Sequence, residues 1–443
     1  MKLYNTLSEK KERLAKPKGR LLKMFVCGPT VYDYSHIGHA RTYLVYDALV
    51  RYLRWQKFKV FYLQNITDVD DKIIERASRT KSDFGTKSDF VLGLAHHFEK
   101  KYFEDMKALG ITAVDKYARA SEHLKEIFKQ IATLIKKGYG YETKNGVYFE
   151  IKKFKDYGKL SKQNLDKLRP GWRIEPDPEK KDPLDFALWK RIPKTNYGFE
   201  SPWGFGRPGW HIEDTAISEK YLGPQYDLHG AAIDLKFPHH ESEIAQQEAA
   251  SGKKPFVKLW MHAGFLLVDS KKMSKSLGNF ITIRDFLKKY PADVLRLIVL
   301  SHHYRSPINY TEQLAQQQKS TLENIEQFLH TLTSPPVILR AKPEESLKDF
   351  DKQFTAALDD DFNTPKALAE IFDFMGRAPK TEQAKKMIVE KLTILGFDIS
   401  LPKIPAEVKK LFAERKKLRR QKEFGKADQI RAKIKQLNFL IED

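Results

Sequence analysis

Two short apolar runs, each followed by a helical pattern, constrain this chain more than any other feature. Residues 24–28 (Met24-Phe25-Val26-Cys27-Gly28) read as a strand that ends at Gly28-Pro29. From about Gly38 to Trp55, Leu44, Ala48, Leu49 and Leu53 recur at helical spacing. Residues 60–66 (VFYLQNI) repeat the strand pattern, and DKIIERA begins another helix. Strand, helix, strand, helix predicts a parallel, doubly wound α/β sheet. Ligands of such sheets sit beyond the carboxyl ends of the strands. Cys27 and Thr67 both fall at such ends.

Further along, Ser121 reads as an N-cap for a helix whose apolar face is Leu124, Ile127, Phe128, Ile131, Leu134 and Ile135. YGYETKNGVYFEI predicts a β-hairpin turning at Asn145-Gly146. Residues 161–209, rich in Pro, Lys, Trp and Gly, read as an insertion of long loops without another regular layer. From about 315 the pattern is helical, with Thr364-Pro365 as an N-cap and a first-turn proline. After a break at 401–405, a last basic segment is divided by Gly425 into a helical hairpin.

The length of 443 residues predicts two to four domains. A formal charge of +21 favours a polyanionic partner such as nucleic acid. The N-terminus lacks a signal-peptide core, and no window approaches the roughly 18 uninterrupted apolar residues of a membrane span. The single cysteine, Cys27, excludes an internal disulfide and suits a reducing cytosol. A cytoplasmic protein with no membrane partner is expected.

Two motifs carry chemistry. His36-Ile37-Gly38-His39 lies between the first strand and the first long helix. The histidines share a helical face, Gly38 leaves room for a ligand, and a helix N-terminus favours phosphate. More than 230 residues downstream, Lys271-Lys272-Met273-Ser274-Lys275-Ser276 follows the strand candidate GFLLV. Its lysines suit a triphosphate, and its serines and Gly278 suit a mobile loop. Taken singly, each has a plain reading, as polar loop histidines or a solvated basic loop. Each string arises by chance in fewer than about one chain in a thousand of this length, and the ordered pair is far rarer.

This HIGH and KMSKS pair resembles the signature of class I aminoacyl-tRNA synthetases. The blocks CGPTVYD (27–33), NITDVDDK (65–72), RPGWHIED (207–214), DLHGAAIDLKFPHHESEIAQ (227–246) and LDDDFNTP (358–365) resemble the cysteinyl-tRNA synthetase family over all but about the last forty residues. The resemblance implies activation of cysteine by ATP with Mg²⁺ to cysteinyl-adenylate, release of pyrophosphate, and transfer to the terminal ribose of its tRNA. It implies ATP contacts at Thr30, His36, Gly38 and His39, and pyrophosphate stabilisation by Lys272 and Lys275. It places Cys27, Gly28, Thr67, Trp210 and His229 around the bound cysteine. It also implies one zinc ion that takes the substrate thiolate. His239 and Glu243, four apart, are zinc-type ligands, and Cys27 offers a thiolate. The fourth family ligand is a cysteine two residues after the Ile of GWHIE, where this chain has Asp214. The expected ligands are therefore Cys27, Asp214, His239 and Glu243, with the alternative that zinc is lost or weakly held.

The implied architecture is a Rossmann-like catalytic domain in two halves, 1–115 and 201–265, split by a connective insertion over 116–200. A KMSKS segment (266–314), a tRNA-binding helical bundle (315–400) and a small basic C-terminal domain (401–443) follow, and a monomer is expected. Lys409, Lys410, Arg415 and their basic neighbours suit a phosphate backbone. Similar proteins often continue past the equivalent of Leu440–Asp443 with a short basic, aromatic tail, so the resemblance does not say how the anticodon is read. Two rivals are a mycothiol-type ligase, which passes activated cysteine to an amino-sugar, and a non-catalytic RNA-binding paralogue.

Overall fold

Strand β1 (Leu22–Val26) is followed by helix α1 (Ile37–Trp55), β2 (Val60–Ile66), α2 (Asp71–Arg79), α3 (Lys87–Ala108) and β3 (Lys116–Arg119) in the computed structural model. The structure describes residues 1–79, 87–163, 177–274, 277–332, 343–377, 381–399, 403–437 and 439–441. After α4 (Leu124–Lys136) come strands β4 (Gly140–Thr143), β5 (Gly146–Phe149), β6 (Phe186–Arg191) and β7 (Gly206–Pro208). Then α5 (Trp210–Leu222), β8 (Tyr226–Ala232), α6 (Glu241–Ser251) and β9 (Val257–Ala263) complete the sheet, and the short helix α7 (Ile283–Leu287) follows.

The central sheet has the order β9-β8-β1-β2-β3 and is parallel throughout. The strand order reverses between β1 and β8, so this fold has its ligand crevice at their carboxyl ends. The β1 and β2 runs are almost entirely buried, as strands covered on both faces must be. Helix α1 buries Leu44, Ala48, Leu49 and Leu53. Phe25, Leu63, Ile131, Ile212, Ile244 and Trp260 join β1, β2 and β9 to α4, α5 and α6 in one apolar core.

The chain divides into two compact units, Met1–Lys288 with Tyr304–Asn309, and Lys289–His303 with Tyr310–Asp443. The second contains α8 (Ala292–Leu300), α9 (Glu312–His330), α10 (Pro343–Asp359), α11 (Thr364–Arg377), α12 (Glu382–Ile394), α13 (Ala406–Arg420) and α14 (Phe424–Gln436). Phe350 and Phe374 stack at 4.2 Å between α10 and α11. The α13–α14 hairpin closes on Val408, Ile430, Ile434 and Phe439.

Several local expectations change. Ser121 does not cap α4, because its hydroxyl and N–H both bond the buried Asp68 carboxylate. The hairpin turns at Lys144-Asn145, with Thr143 paired to Gly146. The described part of 161–209 holds β6 and β7, which complete a four-stranded antiparallel sheet with β4 and β5. Thr364 is already helical, and Asn363 Oδ1 accepts the capping bond from Lys366 N at 3.1 Å. Gly425 lies inside α14, and the hairpin bends at Gln421–Glu423, where Lys422 has φ +63°.

Candidate active site and metal centre

The first half of the site is the start of α1. His36 caps the helix, and its Nδ1 accepts from Gly38 N at 3.1 Å and His39 N at 3.3 Å. His39 Nδ1 lies 3.5 Å from His36 N, which closes a capping box, and the two rings stack at 3.8 Å. Burial holds both rings neutral, with His36 lowered to about 2 and His39 to about 4. The adjacent His39 adds to the first shift, and the Lys72 ammonium adds to the second. A neutral ring that accepts at Nδ1 carries its proton on Nε2. Both histidines therefore keep an N–H donor at Nε2, at the positive end of the helix dipole, while the first backbone N–H groups of α1 are taken by His36 Nδ1 and Ile281 O. The pocket in front of them is lined by Thr30, Tyr32, Tyr102 and Phe280.

The second motif reaches the same place. Ile37 N donates to Ile281 O at 3.1 Å, and Ile283 N donates to Ser35 O at 2.9 Å, so the backbone after the KMSKS loop is tied to α1. A Cβ on Gly38 would lie 2.8 Å from Met273 Cε. It would lie equally close, 2.8 Å, to His36 Nδ1, so glycine leaves room for the capping ring as well as for the loop methionine. Lys272 is exposed, in a short strand paired with Leu267, and its ammonium stands 5.6 Å from the Phe265 ring centre. Lys275 lies outside the described residues.

The third element is a buried cluster at the switch point. Cys27 follows β1, and its N–H donates to Gly230 O of β8 at 3.1 Å. Cys27, Asp214, His239 and Glu243 offer one ligand atom each, all within 4.8 Å of one another. A second set of equal compactness uses Cys27, His229, His240 and Glu243. His239 Nε2 lies 2.8 Å from Glu243 Oε1 and 3.2 Å from Asp214 Oδ2. The four-residue spacing thus brings histidine and glutamate together at the start of α6. His211 Nδ1 lies 2.7 Å from His239 Nδ1, which leaves the Nε2 of His239 for the cluster. Trp210, at the first position of α5, lays its ring 4.2 Å from that of His239. His229 is fully buried, with Nε2 3.3 Å from Cys27 Sγ and Nδ1 2.7 Å from the Tyr226 hydroxyl.

The electrostatics fit a cation. Burial pushes the Cys27 thiol well up, and Asp214 and Glu243 push it further. Burial also raises Glu243, against the pull of His239. Burial alone would lower His239, but Glu243 and Asp214 hold it above its ordinary value. Neither Glu243 oxygen has a well-aligned hydrogen bond among the described residues. Three acids and an imidazole, buried together with carboxylate oxygens that lack well-aligned hydrogen bonds, form a donor set that could hold a divalent metal.

Three residues in this region carry no signal as single letters. Thr67 donates to Glu213 Oε2 at 3.1 Å, and Glu213 is fully buried. Burial, and then Asp214, raise its carboxyl well above the usual range. Asn65 bridges Gly28 and Asp214. His240 Nε2 lies 3.2 Å from Cys27 Sγ. Polar runs inside strand or helix patterns, such as Glu213-Asp214-Thr215 and His239-His240-Glu241-Ser242-Glu243, are the signal that marks such positions.

A nucleotide-type parallel sheet, a phosphate-ready helix start and a basic loop tied to it define a class I aminoacyl-tRNA synthetase. The family model for the class I (C) tRNA synthetase catalytic domain matches residues 14–320, and that for the DALR domain matches 353–396. The cysteine–tRNA ligase of Thermococcus gammatolerans is 43% identical, covering 100% of this chain and 97% of that protein. The one from Bacillus licheniformis is 41% identical over the same shares. The chain belongs to the cysteine–tRNA ligase family. Solved structures share the fold at low identity. The Mycobacterium tuberculosis methionyl-tRNA synthetase with methionyl-adenylate has a TM-score of 0.62 at 15% identity, covering 85% of this chain and 89% of that one.

Proposed function

We propose that the chain activates cysteine with ATP and transfers it to tRNA through the residues described above. The observation that carries this is the meeting of three elements at the strand ends of one sheet. They are the α1 start, the KMSKS backbone tied to it, and the buried Cys27 cluster. In this reading the Nε2 donors of His36 and His39, at the positive N-terminal end of α1, bind ATP phosphates, with Thr30 and Gly38 lining their approach. ATP enters with Mg²⁺. Lys272 and Lys275 offset charge on the departing pyrophosphate. Preorganised donors of this kind act on charge that develops in the transition state.

Cys27, Asp214, His239 and Glu243 are the residues that would hold Zn²⁺. When bound, Zn²⁺ supplies a soft Lewis acid that prefers thiolate sulfur to a hydroxyl oxygen. Shape alone separates such isosteres poorly. Trp210 walls this pocket over His239, His229 backs Cys27, and Gly28 and Thr67 border it. The C-terminal hairpin and the 315–400 bundle serve tRNA, which argues against an amino-sugar acceptor. The division into 1–115, 116–200, 201–265, 266–314, 315–400 and 401–443 is retained as the functional map. Charging of tRNA transcripts with radiolabelled cysteine tests the reading: a cysteine-tRNA transcript is labelled and a serine-tRNA transcript is not. Labelling of neither in the presence of ATP and Mg²⁺ overturns it.

A further inference from the structure

Asp214 stands where the family has a one-atom ligand, and an aspartate has two oxygens. A carboxylate free to turn about its last bond can present either oxygen, or both, to a cation. Both-oxygen binding would take up the coordination position that a substrate needs. In this chain the two oxygens are not equivalent. Oδ2 lies 3.2 Å from His239 Nε2, on the cluster side. Oδ1 accepts from Asn65 Nδ2 at 2.7 Å. The orientation of the Asn65 amide is fixed from its other end, because Gly28 N donates to Asn65 Oδ1 at 2.6 Å. A backbone N–H can meet only the oxygen of that amide, so the nitrogen must face Asp214. Asn65 is 2% exposed, and its remaining N–H points to Thr67 Oγ1 at 3.4 Å. Gly28 permits the arrangement, since a Cβ there would lie 1.7 Å from the Asn65 carbonyl oxygen.

We infer that Asn65 is the positioning residue that makes Asp214 a one-oxygen metal ligand, by engaging Oδ1 and leaving Oδ2 to the cluster. The clamp runs from the backbone beside Cys27, through the Asn65 amide, to Asp214, and so fixes two ligands relative to each other. The inference rests on the Cys27–Asp214–His239–Glu243 reading of the metal centre. Its consequence is specific to an oxygen ligand. A cysteine at 214 has a single sulfur and needs no partner to choose between donors.

The test is a four-protein cycle in the full chain: unaltered, Asn65→Ala, Asp214→Cys, and the double variant. Zinc affinity is measured by chelator competition without substrates, and the Co²⁺-loaded proteins are compared by absorption. In the Asp214 background, Asn65→Ala should weaken zinc by about 10-fold or more, as loss of a ligand's orienting partner generally does. The cobalt bands should shift as the carboxylate turns. In the Asp214→Cys background the same change should alter affinity by less than about twofold. Asn65→Asp keeps the shape and the acceptor for Gly28 N, and only replaces the donor to Asp214. It should weaken zinc at least as much as Asn65→Ala. Equal losses in both backgrounds, or none in either, overturn the clamp while the metal centre stands. An unaltered protein that takes up no zinc removes the metal reading and the clamp with it.

Discussion

The two nitrogens of His36 have separable duties, so two substitutions at that one position should separate stability from catalysis. Nδ1 holds the first turn of α1 through two backbone N–H groups, at 3.1 and 3.3 Å. Nε2 is left as a donor, for which the proposed partner is an ATP phosphate. Asparagine supplies a side-chain oxygen for the cap and has nothing at the Nε2 position. His36→Asn should therefore hold stability within about 0.5 kcal/mol, since Asn is among the best capping residues. Its pyrophosphate exchange should fall by about 10²–10³-fold, the usual cost of one preorganised donor. His36→Ala loses both duties and should also cost about 1 kcal/mol of stability. The assays are urea denaturation and steady-state ATP–pyrophosphate exchange. Exchange within about threefold of the parent in His36→Asn would refute the phosphate role. Equal stability losses in the two variants would refute the capping tautomer. Because His36 and His39 are lowered to about 2 and 4, neither ring should titrate in the exchange profile above about pH 5.

Other outcomes follow from the same structure. Lys272→Ala should lower exchange by on the order of 10²-fold with cysteine binding little changed, since its proposed role is to offset charge on the leaving group; equal loss of binding would contradict this. Burial lowers His211, His229 and His240 far below the ordinary value, and His262 to about 3, whereas it raises Glu213 and Glu243. The neutral histidines are stabilising above their unfolded value near 6.5 and lose that contribution as the pH falls, while the raised carboxyls act in the opposite sense. With His36 and His39 included, the lowered histidines outnumber the raised carboxyls, so the unfolded chain binds more protons and stability should fall as the pH drops from 6 to 5, measurable by urea denaturation. Replacing the exposed Lys417, Arg419, Arg420 and Lys422 with Gln should weaken tRNA binding and lower its salt slope by roughly 0.7–0.9 for each phosphate no longer neutralised. An unchanged slope would make the hairpin a solvated face.

The sheet was legible because β1 and β2 lie in short apolar runs, and because Leu44, Ala48, Leu49 and Leu53 recur at helical spacing in α1. Helix ends were less so, because caps are decided by whichever partner reaches first. Ser121 is taken by Asp68, which lies 53 residues away in sequence. At the hairpin bend, Lys422 adopts a left-handed conformation that glycine was expected to supply. Arg415, grouped by sequence with the basic face, is 2% exposed and so is not part of a solvent-facing basic surface. The histidines, Cys27, His239 and Glu243 were readable as motif letters. The roles of Asn65 and Glu213 depend on burial and on bonds between distant segments, and a single sequence does not print those.

Selective activation of cysteine at the Cys27 cluster is what the proposed function turns on. The most direct measurement is ATP–pyrophosphate exchange with the zinc-replete full-length protein, presented in parallel with cysteine, serine and methionine. Preference for sulfur at a metal centre predicts brisk exchange with cysteine and at least about 10³-fold less with serine, beyond the roughly 10²-fold that a pocket without such a ligand reaches. Methionine should support none. Exchange that treats serine and cysteine alike, or that proceeds with methionine and not cysteine, would contradict the account.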